Sequence, residues 1–244
     1  MQVTVTRTIQ LAEVHPERDL RLDALVNILQ ETALAHTRHV GIELCSLLDS
    51  GKTWVLSRMA LNFTRLPRLE EELEVQTWSR RIQRFKGLRD FIFRIGGQQV
   101  GAATSLWLYF DIARRRPTRA PDHYGELYGT EDIPALAMDI EEWQPPREVR
   151  DERPLTITTR LSDYDVNGHV NNAIALQYLE TALARRGMTV RQPIALQLAF
   201  SKEIPAGIDE IEVSLEPNGA GCAVQLRHHE TIFVSSTISQ QMPG

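Results

Sequence analysis

Apolar and polar residues alternate over positions 2–12, the period of a strand with one buried face. The period then changes. Leu22, Leu25, Val26, Leu29, Ala33, His36 and Val40 recur at spacings of three and four, which predicts a long amphipathic helix, and Gly41 supplies its stop signal. From Trp54 to Ala113, four β-rich apolar segments broken at RLPRLEE, QRFKG and GGQQ read as an antiparallel meander. The first unit is therefore strand, long helix, four strands.

The same order returns after residue 152. A strand is predicted over 153–161, a helix from Gly168 to about Arg186, and strands near 192–203, 209–216, 222–229 and 231–239. The pentapeptide ETALA occurs in both predicted helices, at Glu31–Ala35 and Glu180–Ala184, an offset of 149. Two matching element orders with a shared pentapeptide in the same element point to duplication. Proline-rich residues 114–152, with little periodicity, predict a connector lying over the surface. The expected fold is α+β, a tandem (double) hotdog, each half an antiparallel sheet wrapped around a long central helix. Its parts are an N-terminal domain at 1–130, a linker at 131–152 and a C-terminal domain at 153–244.

With 244 residues, 42% of them hydrophobic, a sizeable core is expected. The 32 acidic residues outnumber the 27 basic ones, which argues against binding nucleic acid through phosphate neutralisation. Cys45 and Cys222 are far apart and lack C-x-x-C spacing, so neither a disulfide framework nor a thiolate zinc site is encoded. The N-terminus has no apolar signal region, and no apolar run is long enough to span a bilayer. A soluble, cytoplasmic protein is expected.

One stretch, DYDVNGHVNN at Asp163–Asn172, crowds carboxylates, amides and an imidazole into ten residues. Its opening D-x-D-x-N-G matches an EF-hand loop, but the twelfth position is Ile174 instead of a bidentate Glu, and RPLTITTRL before it is not helix-like. The calcium reading fails on both counts. A turn followed by a helix cap explains one or two of these polar residues. Chemistry explains more of them. A helix N-terminus can hold an oxyanion and disfavours an imidazolium, leaving His169 usable as a general base, with Asp165 and Asn167 placed to orient imidazole, water or a carbonyl. At the ungapped offset of 149 the first copy carries Pro16, Arg18 and Leu20 at these positions, so only the second half is expected to retain chemistry.

DVNGHVNN (165–172), with YLE at 178–180, LQETALAH at 29–36, WVLSR at 54–58, LPRLEE at 66–71 and VQTW at 75–78, resembles the acyl-acyl carrier protein thioesterase family of bacterial double-hotdog type. The resemblance covers nearly the whole chain. It implies catalytic roles for Asp165, Asn167 and His169, and for Glu203 in QLAFSKEIP. On residue chemistry alone, Glu203 reads as a strand-end surface carboxylate beside Lys202. Many plant relatives carry a Cys where Ile204 stands, so water is the expected nucleophile, with His169 and Glu203 as candidate bases. No metal or organic cofactor is implied.

The family places chain-length selection in the first half, which makes His36 and Trp54 candidate lining residues of an acyl tunnel. Core packing would demand the same residues. Basic clusters at RRIQRFKGLR (80–89) and RRRPTR (114–119) are solvated faces or, taking Arg115 and Arg116 as contacts, a docking surface for acidic acyl carrier protein. The expected activity is hydrolysis of fatty acyl-acyl carrier protein to free acid and holo-carrier protein, ending chain elongation. An acyl-CoA thioesterase and a non-catalytic acyl-binding hotdog are the rivals. The sequence leaves open a homodimer of the fused pair.

Overall fold

The change of period becomes β1 (Gln2–Thr8), α1 (Leu22–His39) and the short α2 (Leu44–Asp49). The meander follows as β2 (Lys52–Phe63), β3 (Glu72–Gln83), β4 (Lys86–Ile95) and β5 (Gln98–Asp111). The structure, a computed structural model, describes residues 1–165, 168–188, 193–219 and 221–239. A connector carries the two-residue β6 (Arg116–Pro117) and α3 (Tyr124–Leu127). The pattern then repeats as β7 (Leu155–Thr158), α4 (Asn172–Arg185), β8 (Ile194–Phe200), β9 (Glu210–Asn218), β10 (Gly221–His228) and β11 (Thr231–Ser239).

Both helices end as their glycines require. Gly41 (φ +82°) and Gly187 (φ +68°) take the left-handed conformation. Beyond them, Ile42 donates to Thr37 O (3.1 Å) and Met188 to Leu183 O (2.9 Å), closing the last turns.

All strand pairs are antiparallel, and the order along the sheet is β1-β3-β4-β5-β2-β8-β11-β10-β9-β7, with β6 on β5. The second half repeats the first about the β2–β8 seam, where Arg58 faces Ala199 and Phe63 faces Ile194. Alternation sends Met59, Leu61 and Phe63 of β2, and Ile194, Leu196 and Leu198 of β8, to the helix-bearing face. There they join buried residues of α1 and α4 in one core spanning both halves.

The connector crosses the opposite face. Leu136, Met138, Ile140 and Trp143 cover Ala60, Leu88 and Leu106 there. Arg58 Nη1 donates to the carbonyls of Ile140 (3.2 Å), Glu141 (2.8 Å) and Trp143 (2.8 Å).

The basic cluster at 80–89 holds this connector down, which corrects its reading as a docking surface. Arg80 pairs with Asp132 (2.6 Å), while Arg81 and Lys86 pair with Glu141 (2.5 and 2.8 Å). Arg89 is buried inside the first half. The cause is strand phase, since Arg89 shares the inward parity of Phe91 and Phe93.

The relation between halves also differs from the expected one. The 3-10 turns Leu11–Glu13 and Leu161–Asp163, the bridges Val14–Leu20 and Tyr164–Val170, and the helix starts Leu22 and Asn172 all correspond at an offset of 150. Buried positions agree, with Leu25, Val26, Ile28 and Leu29 matching Ala175, Leu176, Tyr178 and Leu179. The two ETALA copies thus sit one residue out of structural register.

No helix among the described residues is long and apolar enough to cross a membrane.

Candidate active site

Residues 161–165 and 168–171 are locked together by backbone hydrogen bonds. Asp165 N–H donates to His169 O (2.8 Å), Gly168 N–H to Asp165 O (3.0 Å) and Asn171 N–H to Asp163 O (2.9 Å). Gly168 sits at φ +76°, the left-handed geometry that an Asn-Gly pair predicts. The turn is tied to the loop after β8 by an isolated bridge between His169 and Pro205 and by Val170 N–H on Ile204 O (2.9 Å). This extended segment delays the helix. α4 begins at Asn172, four residues later than the sequence pattern suggests, with the Asn171 side chain capping Ala173 N–H (2.9 Å).

Tying the turn to that loop brings His169 Nε2 to 3.3 Å from Glu203 Oε2. Both side chains are partly accessible, at 21% and 39%, so water and a ligand can reach them. The same carboxylate oxygen takes Arg115 Nη2 at 3.2 Å. Arg115 stands on the turn after β5 at φ +50°, a conformation costly for a residue with a Cβ. Asp165 Oδ1 lies 3.4 Å from His169 N, so its carboxylate faces the backbone of the histidine it precedes. Asn167 falls outside the described residues.

Asp165, His169, Glu203 and Arg115 line a cavity of about 580 Å³, with Asn171 and Asn172 at the start of α4 in its wall. First-half residues supply most of the rest, among them Gln30 of α1, Trp54 of β2 and Trp107 of β5. The cavity therefore exists only where the halves meet. Gln30, Thr53, Trp54 and Trp107 also line a second cavity of about 210 Å³ within the first half, walled mainly by apolar residues of α1, α2 and β4. The two spaces share a wall along one path.

The remaining expected residues fall as follows. Trp54 borders both cavities and packs edge-on against Tyr109 at 5.0 Å. Arg116 lies exposed on β6, next to Arg115 but outside the cavity wall. His36 is fully buried behind the wall of the smaller cavity, with Nδ1 accepting from Arg89 Nη1 at 2.8 Å. Burial, with Arg89 beside it, pushes the His36 pKa down to about 3, so this imidazole is neutral. Sequence reasoning passed over Gln30 and Tyr128, and took Arg89 for a surface residue. Strand parity was the available signal for Arg89; for Tyr128, after the meander, there was none.

Neither cysteine serves the site. Cys45 is exposed on α2, and Cys222 is buried on β10, where burial pushes its thiol up to about 11. Ile204 is buried.

The architecture defines a double-hotdog protein whose His–carboxylate pair opens onto a cavity that shares a wall with a smaller, apolar one. Two family models match it in tandem, the acyl-ACP thioesterase N-terminal domain over residues 3–128 and the acyl-ACP thioesterase C-terminal domain over 147–241, and the chain belongs to that family.

Among relatives, it is 24% identical over 237 residues to a chloroplastic palmitoyl-acyl carrier protein thioesterase of Cuphea hookeriana, covering 91% of this chain and 56% of that one. It is 30% identical over 179 residues to a chloroplastic dodecanoyl-[acyl-carrier-protein] hydrolase of Cinnamomum camphora, covering 68% and 47%. The chain thus spans about half the length of these plant relatives. A crystal structure of an acyl-ACP thioesterase from Bacteroides thetaiotaomicron superposes with a TM-score of 0.82 at 24% identity, covering 98% of this chain and 97% of the other, and establishes the shared fold.

Proposed function

We propose that this protein is a thioesterase that hydrolyses a fatty acyl thioester carried on acyl carrier protein, releasing free fatty acid and the carrier's thiol. The observation that carries the reading is the 3.3 Å contact between His169 and Glu203 at a cavity that shares its wall with an apolar one. In this reading residues 1–130 bind the acyl chain, 131–152 link the halves, and 153–244 carry the catalytic groups. The protein acts in the cytoplasm.

Water attacks the thioester carbonyl carbon, and His169 removes the water's proton as the C–O bond forms. Glu203 holds the imidazole in place and stabilises its charged form. The C–S bond then breaks, and the proton returns through His169 to the departing sulfur. Asn167 and the first turn of α4 polarise the carbonyl. Asp165, facing the backbone of His169, is a positioning residue. With Cys45 and Cys222 outside the cavity walls, the nucleophile is water.

Arg114, Arg115 and Arg116 stand beside the cavity mouth and give an acidic carrier a place to dock. Arg116 is the cleaner probe, because Arg115 also touches Glu203. Arg116→Glu raises KM for carrier-bound substrate and leaves small thioesters unaffected.

The deciding experiment is thiol release from matched panels of acyl-acyl carrier proteins and acyl-CoAs, with His169→Ala as the blank. Release that is faster from the carrier protein and lost in the variant supports the proposal. Faster release from CoA favours the acyl-CoA reading. Retention of acyl ligand without release from either carrier would make this a binding protein.

A further inference from the structure

The smaller cavity has one lining residue that an ordinary saturated chain does not call for. Arg89 is 8% exposed, and among the described residues no Asp or Glu pairs with it. Its Nη1 donates to His36 Nδ1 (2.8 Å) and Thr77 Oγ1 (3.3 Å), both neutral, and the guanidinium lies 5.8 Å from the centre of the Tyr128 ring. Nε and Nη2 have no acceptor among the described residues.

Its sequence neighbour Asp90 cannot help, because strand alternation points it to the outer face. There Thr104 Oγ1 (2.7 Å) and Ala135 N–H (2.6 Å) hold it. Burial lowers the Arg89 pKa only to about 10, so the group is cationic at neutral pH. A buried charge without a counter-ion is a costly arrangement that a fold does not need, and a guanidinium offers a fork matched to a carboxylate.

The placement along the cavity adds to this. Gln30 borders both cavities, whereas Thr37, on the same helix and bonded to Tyr128 Oη (3.3 Å), borders only the smaller one. Two turns of α1 separate them, roughly 10 Å. Arg89 and Tyr128 also border only the smaller cavity, away from His169.

We propose that the cavity's far end is an anion subsite, and that the protein takes acyl chains ending in a carboxylate, the half-thioesters of α,ω-dicarboxylic acids. The acyl methylenes lie along Ala33, Leu34, Leu47 and Trp54, and the terminal carboxylate meets Nε and Nη2 of Arg89. This rests on the thioesterase reading for the identity of the reacting end, though the subsite itself does not.

The test uses pantetheine S-alkyl thioethers, which cannot be hydrolysed, with chains of matched length ending in methyl or carboxylate, titrated calorimetrically into the full-length protein. Hydrolysis of the corresponding thioesters is followed in parallel. The expected result is at least ten-fold tighter binding of the carboxylate-ended chain at one or more lengths, abolished in Arg89→Met and retained in Arg89→Lys. Equal or tighter binding of the methyl-ended chain at every length in the wild-type protein overturns the proposal, and this arm needs no variant to fold. A carboxylate preference that survives in folded Arg89→Met also overturns it. Carboxylate-selective binding with no thioester cleaved keeps the subsite and sinks the thioesterase reading; cleavage of methyl-ended chains alone does the reverse.

Discussion

The turn at 11–21 and its counterpart, described at 161–165 and 168–171, share their backbone hydrogen bonds and differ in chemistry. His15 N–H donates to Asp19 O, Arg18 N–H to His15 O and Arg21 N–H to Glu13 O, just as Asp165, Gly168 and Asn171 donate to His169, Asp165 and Asp163. Arg18 takes φ +73° where Gly168 takes +76°. Yet Asp165 and His169 are answered by His15 and Asp19. Across the bridge, Asp19 meets Arg68 (3.3 Å), while the position equivalent to Glu203 holds the buried Leu66. Main-chain hydrogen bonds fix this turn, so its side chains are free to specialise. In the first half they became structural, with His15 Nε2 joined to Glu180 of α4 at 3.0 Å.

If only the second turn reacts, the largest difference is in turnover. His169→Ala lowers kcat by roughly 10²-fold or more, as loss of a general base does, while its counterpart Asp19→Ala leaves kcat unchanged. Steady-state hydrolysis by the two variants, with thermal melts as controls, checks this. An equal loss in both would mean that the first turn also carries chemistry.

A smaller contrast lies in acid sensitivity. His36 has its pKa lowered to about 3, so the unfolded state binds the extra proton first. Its contribution is complete above about pH 6.5, the ordinary value of a solvated imidazole, and declines as pH falls towards 3. Wild-type protein should lose about 2 kcal/mol from this group between pH 7.5 and 5. His36→Gln should remove that share in denaturant titrations at the two pH values.

Next comes the left-handed residue of each turn. Arg18→Gly should stabilise the first half by about 1 kcal/mol, and Gly168→Arg should destabilise the second by a similar amount. Chemical denaturation measures both, and equal responses of one sign would deny that the turns share a backbone.

The smallest effect belongs to His15. Its pKa is raised, chiefly by the hydrogen bond to Glu180, so the contribution is full below about pH 6.5 and is lost as pH rises through the folded value. The side chain is 39% exposed, and solvent screening limits the pair to roughly 0.5 kcal/mol. His15→Gln should flatten that portion of the stability profile above about pH 6.5.

The period changes, the meander breaks and the two glycine stops were legible because each follows from local chemistry. The order of elements exposed the duplication, but ETALA misplaced its register by one residue, since a run of good helix formers recurs without regard to which face it occupies. The matching turns, bridges and helix starts fix the offset at 150, which pairs Ile28 with the buried Tyr178 instead of the half-buried Gln177. The polar turn was visible as chemistry. Its pairing with Glu203 was not, because Lys202 and Glu203 look like a solvated strand end until the bridge from His169 to Pro205 draws the loop in. Arg89 was lost by counting charges over 80–89 instead of following parity along β4.

The seam between β2 and β8 has a consequence for synthesis. Until the ribosome has made β8, the strand carrying Phe63 is a bare edge, with a row of unpaired amides and carbonyls able to recruit another nascent chain. The first half can cover part of its helix before that point, but its edge must wait for a segment translated after the entire connector and α4. Joining two hotdog units in one polypeptide therefore delivers the capping strand at high local concentration and fixed order. A severed first half would have to find that strand by diffusion, in competition with every other exposed edge in the cell.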